Sequence, residues 1–319
     1  MINEHIEKET ISVFKHTWQI IANPTAMANS GCKYWDKITR QLRQLQLDYR
    51  FVISDDKDAS QAIIKELCQK GNKHFLVIGG DGTINNVINA IFTAGVDTHD
   101  IYVGVLPLGT GNDWCHTHKY PRSYMDTINL FLRGQFVHHD IGIVDCIADN
   151  KTIATKYFIN IAGFGFDANV IHHTINSKNH SSYIYITQLL KVLFSHQSQP
   201  IRIQTDNIVT ENNIFSIAVG ICQYNGNGIR QVPMANPTDE LFNSLVVSKI
   251  SPWKFIRNIK NLYQGHIEHL NEVSYLTSPD LHIFADTPIL GETEGEPLPV
   301  TNHYHIQTLP HAINMLTGL

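Results

Sequence analysis

Two short stretches of this chain combine glycines with acids at spacings that suit phosphate chemistry. In the first, Gly79, Gly80, Asp81, Gly82 and Thr83 stand between four apolar residues, Phe75 to Ile78, and a run in which Ile84, Val87, Ile88 and Ile91 recur at helical spacing. That order reads as strand, tight turn, helix. Glycines let backbone amides come close to a bound group, and a helix N-terminus adds partial positive charge, so the preferred guest is a phosphate. Asp81 would repel phosphates unless a divalent cation lies between or a substrate hydroxyl needs orienting. A nucleotide with magnesium meets both demands, and a plain strand-to-helix turn with Asp81 as its N-cap meets the pattern too. In the second stretch, LPLGTGNDW from Leu106 to Trp114, Gly109, Thr110 and Gly111 could wrap another side of the same phosphates. Asn112 and Asp113 there offer polar groups to a ribose, a cation or a reacting hydroxyl. The competing reading is a loop that caps a helix starting near Asp113.

The elements needed to hold these turns follow from hydrophobic pattern. Thr17 to Ala22 reads as a buried strand ended by Asn23-Pro24-Thr25, Tyr34 to Gln46 as a helix with Trp35, Ile38, Leu42 and Leu45 inward, and Tyr49 to Ser54 as a second strand. Asp58 to Lys70 reads as a helix with Ala62, Ile63, Leu67 and Cys68 apolar and Gly71 as its C-cap. Tyr102 to Leu106 is a further strand closed by Pro107. Alternating strands and helices predict a parallel sheet, whose ligands collect at the carboxyl ends of its strands, where both glycine turns lie. After Gly134 the period changes. Phe136 to Val144, Lys156 to Ala162, Ile201 to Gln204, Phe215 to Ile221, Leu241 to Val247, Glu272 to Leu276, Leu281 to Phe284 and His303 to Gln307 are short strands of an antiparallel, sandwich-like lobe. Helices are expected at Ser182 to Phe194 and Pro252 to Tyr263. The second carries Phe255, Ile259 and Leu262 on one stripe flanked by Lys254, Arg257 and Lys260, which suits packing on a sheet or resting on a bilayer surface. The expected division is an α/β nucleotide-binding domain over 17–137, with 308–319 as a candidate closing segment, and a β-sandwich substrate domain over 138–307.

Composition narrows the function classes. At 319 residues with 43% apolar content the chain can build two cores, while only 17% charged residues and a net charge of -5 argue against nucleic-acid binding by bulk electrostatics. No apolar run approaches the roughly 18 residues of a membrane span, so a soluble, cytoplasmic protein is expected. The five cysteines show no CxxC spacing. Among the eighteen histidines, His116 and His118, His138 and His139, His172 and His173, and His303 and His305 are paired. A metal site also needs a carboxylate or cysteine at a matching distance, and none is apparent in the sequence, so these are read as solvated or core histidines.

Taken together, the two turns and the second lobe resemble the diacylglycerol kinase catalytic-domain family, soluble bacterial lipid kinases related to sphingosine and ceramide kinases. The resemblance runs through Asn23-Pro24, Gly79 to Thr83, Pro107 to Trp114, Asp140, FINIAGFGFD from Phe158 to Asp167, Gly226 to Asp239, and Glu294-Gly295-Glu296. It implies ATP-dependent phosphorylation of a lipid hydroxyl in a cleft between two lobes. The matching nucleotide contacts are Asn23, Thr25, Ser54, Gly79, Gly80, Asp81, Gly82, Thr83, Ile84, Asn85, Gly109 and Thr110. The acidic-Gly-Glu pattern supplies the catalytic base in the family, which points to Glu294 and Glu296, with Asp81 alongside. Asp81, Asp113 and Asp140 would form the acidic network around magnesium and phosphate, and a separate structural magnesium would lie near Asp239. The chain departs from the pattern where Glu294 replaces the usual aspartate and where Asp239-Glu240-Leu241-Phe242-Asn243 lacks the glycine and second acid of the structural metal loop. The resemblance also implies a lipid substrate met at a membrane surface by peripheral contact, and leaves assembly open, a homodimer included. The first turn alone is shared with nicotinamide-dinucleotide kinases. That activity and a binding regulator without catalysis are the alternatives.

Overall fold

The computed structural model describes residues 7–22, 32–53, 56–109, 111–174 and 182–319, and the chain divides into two compact units, 1–141 with 310–319 and 142–309. In chain order the first unit holds β1 (Lys8–Thr10), β2 (Trp18–Ala22), α1 (Cys32–Gln44), β3 (Tyr49–Ile53), α2 (Lys57–Gln69), β4 (His74–Gly79), α3 (Asp81–Phe92), β5 (Tyr102–Pro107), α4 (Asp113–Thr117) and α5 (Tyr124–Arg133). The boundary falls inside β6 (Gln135–Ala148). The second unit continues with β7 (Lys151–Phe158), β8 (Ile161–Gly165), α6 (Phe166–Thr174), α7 (Ser182–Ser195), β9 (Gln199–Gln204), β10 (Val209–Gly220), β11 (Phe242–Ser248) and α8 (Pro252–Gln264). It ends with β12 (Val273–Ser278), β13 (Asp280–Ile289), β14 (Gly291–Thr293), β15 (Glu296–Pro297) and β16 (Thr301–Leu316), whose last residues belong to the first unit.

The first unit is a parallel sheet in the order β3-β2-β4-β5-β16, the last pairing made by Asn314 and Met315 against Tyr102 and Val103. Every residue of β2 is buried, as expected of a strand covered on both faces. Trp18, Ile20, Ile38, Leu42, Leu76 and Phe131 lead its core. Two details differ from the sequence reading. In α2 the inward row is Ser60, Ile64 and Cys68, spaced one turn apart, and Ile63 is exposed. The segment after α4, where no element is expected from the hydrophobic pattern, forms α5, closed by Gly134 in the left-handed region.

The second unit is antiparallel throughout its described strands. β10 bends between Ile214 and Ser216: its first half pairs with β9 and its second with β8 and β11. Inward residues of both arms fill one core of Phe158, Phe164, Ile217, Phe242, Ile283 and Tyr304. Each such large apolar side chain contributes about 1.5–3 kcal/mol by leaving water. The expected strand over 156–162 is two strands, because Ile159 and Asn160 leave the ladder to bond elsewhere, and α6 was not expected. The helix α8 packs Phe255, Ile256 and Leu262 toward a second cluster with Phe166, Phe215 and Leu245, while Trp253 is 70% exposed.

Candidate functional site

In the first unit the two glycine turns are one surface. The backbone of Gly109 lies so close to that of Gly80 that a Cβ on Gly109 would stand 2.6 Å from the Gly80 Cα, and one on Gly80 would stand 3.0 Å from the Gly109 Cα. This approach requires glycine at 109 and leaves a side chain at 80 only the tightest of contacts, whatever their dihedral angles. Asn112, at φ +52°, locks the second turn by accepting from Gly109 N at 3.1 Å and donating to Gly109 O at 2.8 Å. Asp81 then ties the turns together: its two carboxylate oxygens accept from Asp113 N at 3.1 Å and Trp114 N at 3.2 Å, the opening amides of α4. Burial, and next the charge of Asp113, push the Asp81 carboxyl above its ordinary range, while those amides pull it back. Two electrostatically coupled carboxylates beside the glycine turns make a donor set suited to a hard dication. Beside Gly82, where a side chain would project, the space is open.

Not every expected residue joins that surface. Ile84 and Asn85 are turned inward from α3, 1% and 2% exposed, and Asn85 Oδ1 accepts from Asn89 Nδ2 at 2.7 Å. Asp140 is fully buried and accepts the His311 amide at 2.7 Å, holding the returning C-terminal segment, where the resemblance would have had it face magnesium. Behind Asp81, the Trp114 indole donates to His139 Nε2 at 3.3 Å and stacks on His118 at 4.0 Å. Burial lowers both imidazoles, His139 to about 4. Asn23, Thr25, Ser54 and Thr110 lie outside the described residues.

In the second unit the acidic-Gly-Glu stretch is a hairpin. Thr293 pairs with Glu296, and between them Glu294 and Gly295 both have positive φ, +53° and +80°, as a type I′ turn needs. Glutamate in that conformation costs roughly 1–2 kcal/mol. The extra methylene over aspartate lets Glu294 Oε1 accept from Ile159 N at 3.0 Å and Asn160 N at 2.6 Å, the amides that leave the ladder between β7 and β8. The base candidate is therefore fixed in position by backbone. Glu296 is half-buried on β15. Asp239 folds onto its own turn, accepting from Leu241 N at 3.2 Å, and Asn243, where the pattern has its second acid, accepts from Thr277 Oγ1 at 2.8 Å. With that donor directed into the sheet, the loop does not fit the structural dication that the resemblance implies.

Two acids assigned no role by the sequence reading mark a cavity in this unit. Glu292 on β14 sits opposite Gly163 on β8, and a Cβ on Gly163 would lie 2.5 Å from Glu292 Oε1 and 3.0 Å from the Asp167 Cβ. Both side chains thus lean over the space that a glycine leaves. Glu292 is 2% exposed, and burial, then the charge of Asp167, push its carboxyl up to about 8 against the pull of the Gly295 amide at 2.7 Å. Burial lifts Asp167 to about 6, although Gln231 Nε2 donates to it at 2.6 Å. These three polar groups border a pocket of about 820 Å³, open side included, whose walls are Phe166, Val170, Leu189, Phe255, Ile259 and Leu262. The signal available in the sequence was Gly163 itself, a glycine within an apolar strand, which marks a close approach.

A Rossmann-like unit with paired glycine turns, followed by an antiparallel unit with an acidic hairpin, defines a class of two-domain kinases. Residues 17–144 match the diacylglycerol kinase catalytic domain, and residues 160–317 match the YegS C-terminal NAD kinase beta sandwich-like domain. The chain belongs to the diacylglycerol kinase catalytic-domain family. It is 22% identical over 313 residues to the "Putative lipid kinase YtlR" of Bacillus subtilis, covering 94% of this chain and 99% of that one. With the "Probable lipid kinase YegS-like" of Yersinia pestis it shares 28% identity over 239 residues, 74% of this chain and 75% of the relative. Its fold is similar to the crystal structure described as a putative diacylglycerol kinase from Bacillus anthracis, with a TM-score of 0.75 at 19% identity over 95% and 97% of the two chains. Among the described residues no helix is long and apolar enough to cross a membrane.

Proposed function

We propose that this chain is an ATP-dependent lipid kinase that transfers the γ-phosphoryl group to the hydroxyl of a diacylglycerol-like or related lipid. The observation that carries the reading is the backbone contact of Gly80 with Gly109, with Asp81 hydrogen-bonded to the start of α4. It makes one surface out of two glycine turns, beside an acidic pair. Phosphoryl transfer asks a protein chiefly to position its reactants and to neutralise charge, and such a surface does the first. Magnesium, held at Asp81 and Asp113, would supply the second. Glu294, oriented by the Ile159 and Asn160 amides, aligns the acceptor hydroxyl and takes its proton late in the transfer. The apolar walls around Asp167 and Glu292 are of a size suited to an acyl chain. The lipid is met by peripheral contact at a cytoplasmic membrane surface, for which the exposed Trp253 on α8 and the neighbouring Phe194, in edge contact at 5.4 Å, are the matching features.

The test is incubation of the protein with labelled ATP and magnesium against vesicles containing diacylglycerol, sphingoid base, ceramide or phosphatidylglycerol, with free NAD as a further arm. Label in a lipid that depends on Glu294 is the expected result. Intact ATP binding with no transfer to any lipid, or transfer to NAD instead, overturns the proposal.

A further inference from the structure

The strands β13 and β16 of the second unit run antiparallel with Asp280 opposite Gln307, His282 opposite His305, and Phe284 opposite His303. Period two places these six side chains on one face of the sheet, since Leu281, Ile283, Tyr304 and Ile306 between them are fully buried in the core. The His282 and His305 rings are stacked 4.0 Å apart and nearly parallel, at 4°. His305 Nε2 lies 2.7 Å from Asp280 Oδ2, and His282 Nε2 lies 3.6 Å from Asp280 Oδ1.

Proton sharing does not account for this arrangement. His282 Nδ1 is 3.0 Å from His303 Nε2, a hydrogen bond, so His282 turns its Nε2 toward the carboxylate. At 3.6 Å that contact is too long for a hydrogen bond. If Nε2 carries no proton, a lone pair faces a carboxylate. If it carries one, the proton falls short of the carboxylate and is left to solvent. A cation between the two groups resolves both cases.

We propose that Asp280, His282 and His305 bind a transition-metal dication of the zinc class, bridging β13 and β16. One ligand atom from each of the three residues already lies within 4.8 Å of the others. A tetrahedral site with bonds of about 2.0–2.1 Å needs them roughly 3.3 Å apart with both imidazole planes aimed at the ion, so binding must turn His282 and His305 out of their parallel stack. Two imidazoles and one carboxylate select zinc, cobalt or nickel over magnesium and calcium, which prefer all-oxygen shells. The fourth position falls to water. His303 and Gln307 are positioning residues: His303 orients the His282 ring through its contact with Nδ1, and Gln307 Nε2 donates to Asp280 Oδ2 at 3.0 Å. The sequence reading set the histidine pair at 303 and 305 aside for want of a carboxylate, and the register supplies Asp280 from the adjacent strand.

The experiment is calorimetric titration of chelator-treated full-length protein with zinc chloride, alongside cobalt titration followed by visible absorbance. The doubly substituted His282→Gln, His305→Gln protein is compared with wild type. All the exchanged side chains lie on the outward face, and Asp280→Asn is a second, shape-preserving variant. The expected result is one zinc equivalent and a tetrahedral cobalt band in wild type, both lost in the double variant and weakened at least tenfold in Asp280→Asn. His303→Gln should weaken zinc about 10–100-fold without changing the stoichiometry. Zinc should raise the melting temperature of wild type but not of the double variant. Equal stoichiometry and affinity in wild type and double variant, or no uptake by wild type at micromolar zinc, overturns the proposal.

Discussion

Replacing Glu292 by glutamine gives a stability change whose dependence on pH is fixed by the structure. Glu292 is 2% exposed, and its carboxyl keeps its proton to about 8, against an ordinary 4.5. Between those limits the folded chain holds a proton that the unfolded chain has released, so stability falls as pH rises. The contribution is complete below the unfolded value and lost as pH climbs through the folded one. At about 1.4 kcal/mol per pH unit, this one group removes on the order of 4 kcal/mol from wild type between pH 4.5 and pH 8. Glutamine keeps an acceptor for Gly295 N and cannot ionise. The stability of Glu292→Gln relative to wild type should therefore grow steadily with pH, by little near pH 5 and by several kcal/mol near pH 8. Urea unfolding of both proteins across that range measures it. A difference that stays constant with pH, or shrinks as pH rises, would refute the account of Glu292 as a carboxyl kept neutral by its surroundings.

Other consequences are as direct. Gly109→Ala drives a methyl group into the backbone of Gly80, so it should cost about 1–3 kcal/mol in thermal unfolding and weaken nucleotide binding in a fluorescent-ATP titration. Glu294→Gln retains an oxygen for the Ile159 and Asn160 amides and should leave the melting temperature nearly unchanged while lowering lipid phosphorylation about a hundredfold or more. The imidazole NMR signals of His118 and His139 should stay constant from roughly pH 5.5 to 8, where an ordinary histidine titrates near 6.5. Their stabilising effect is present above that value and is lost as pH falls toward 4. Trp253→Ala should reduce cosedimentation with lipid vesicles several-fold. Unchanged sedimentation would remove α8 as the contact.

Much of the first unit was legible because its signals are local. A fully apolar strand such as Phe75 to Ile78 and a helix with one apolar face each announce themselves within a dozen residues, and glycine clusters mark the turns between them. The contact between Gly80 and Gly109 was foreseeable only as a shared ligand, since no spacing in the sequence says that two backbones touch. The contact of Asp140 was hidden for the same reason: an acid in a family pattern reads as a ligand, and nothing local says that the His311 amide, far away in sequence, donates to it. In the second unit the strands were visible, but their partners were not. Asp280 meets His305 and Glu292 meets Gly163 by register across strands, and register is set by packing the whole sheet. The break at Ile159 and Asn160 depended on Glu294, some 135 residues later, supplying acceptors for their amides.

The final strand of the parallel sheet carries a further consequence for how the protein is made. Asn314 and Met315 of the closing segment 310–319 pair with Tyr102 and Val103 of β5, yet all of 142–309 is translated between that segment and its neighbour. On the ribosome, β5 therefore waits as a bare edge of Tyr102, Val103, Gly104, Val105 and Leu106 while an entire second unit emerges. Such an edge invites pairing with other chains. A nascent chain paused before residue 310 should be a better chaperone client and a more readily aggregating species than the released protein.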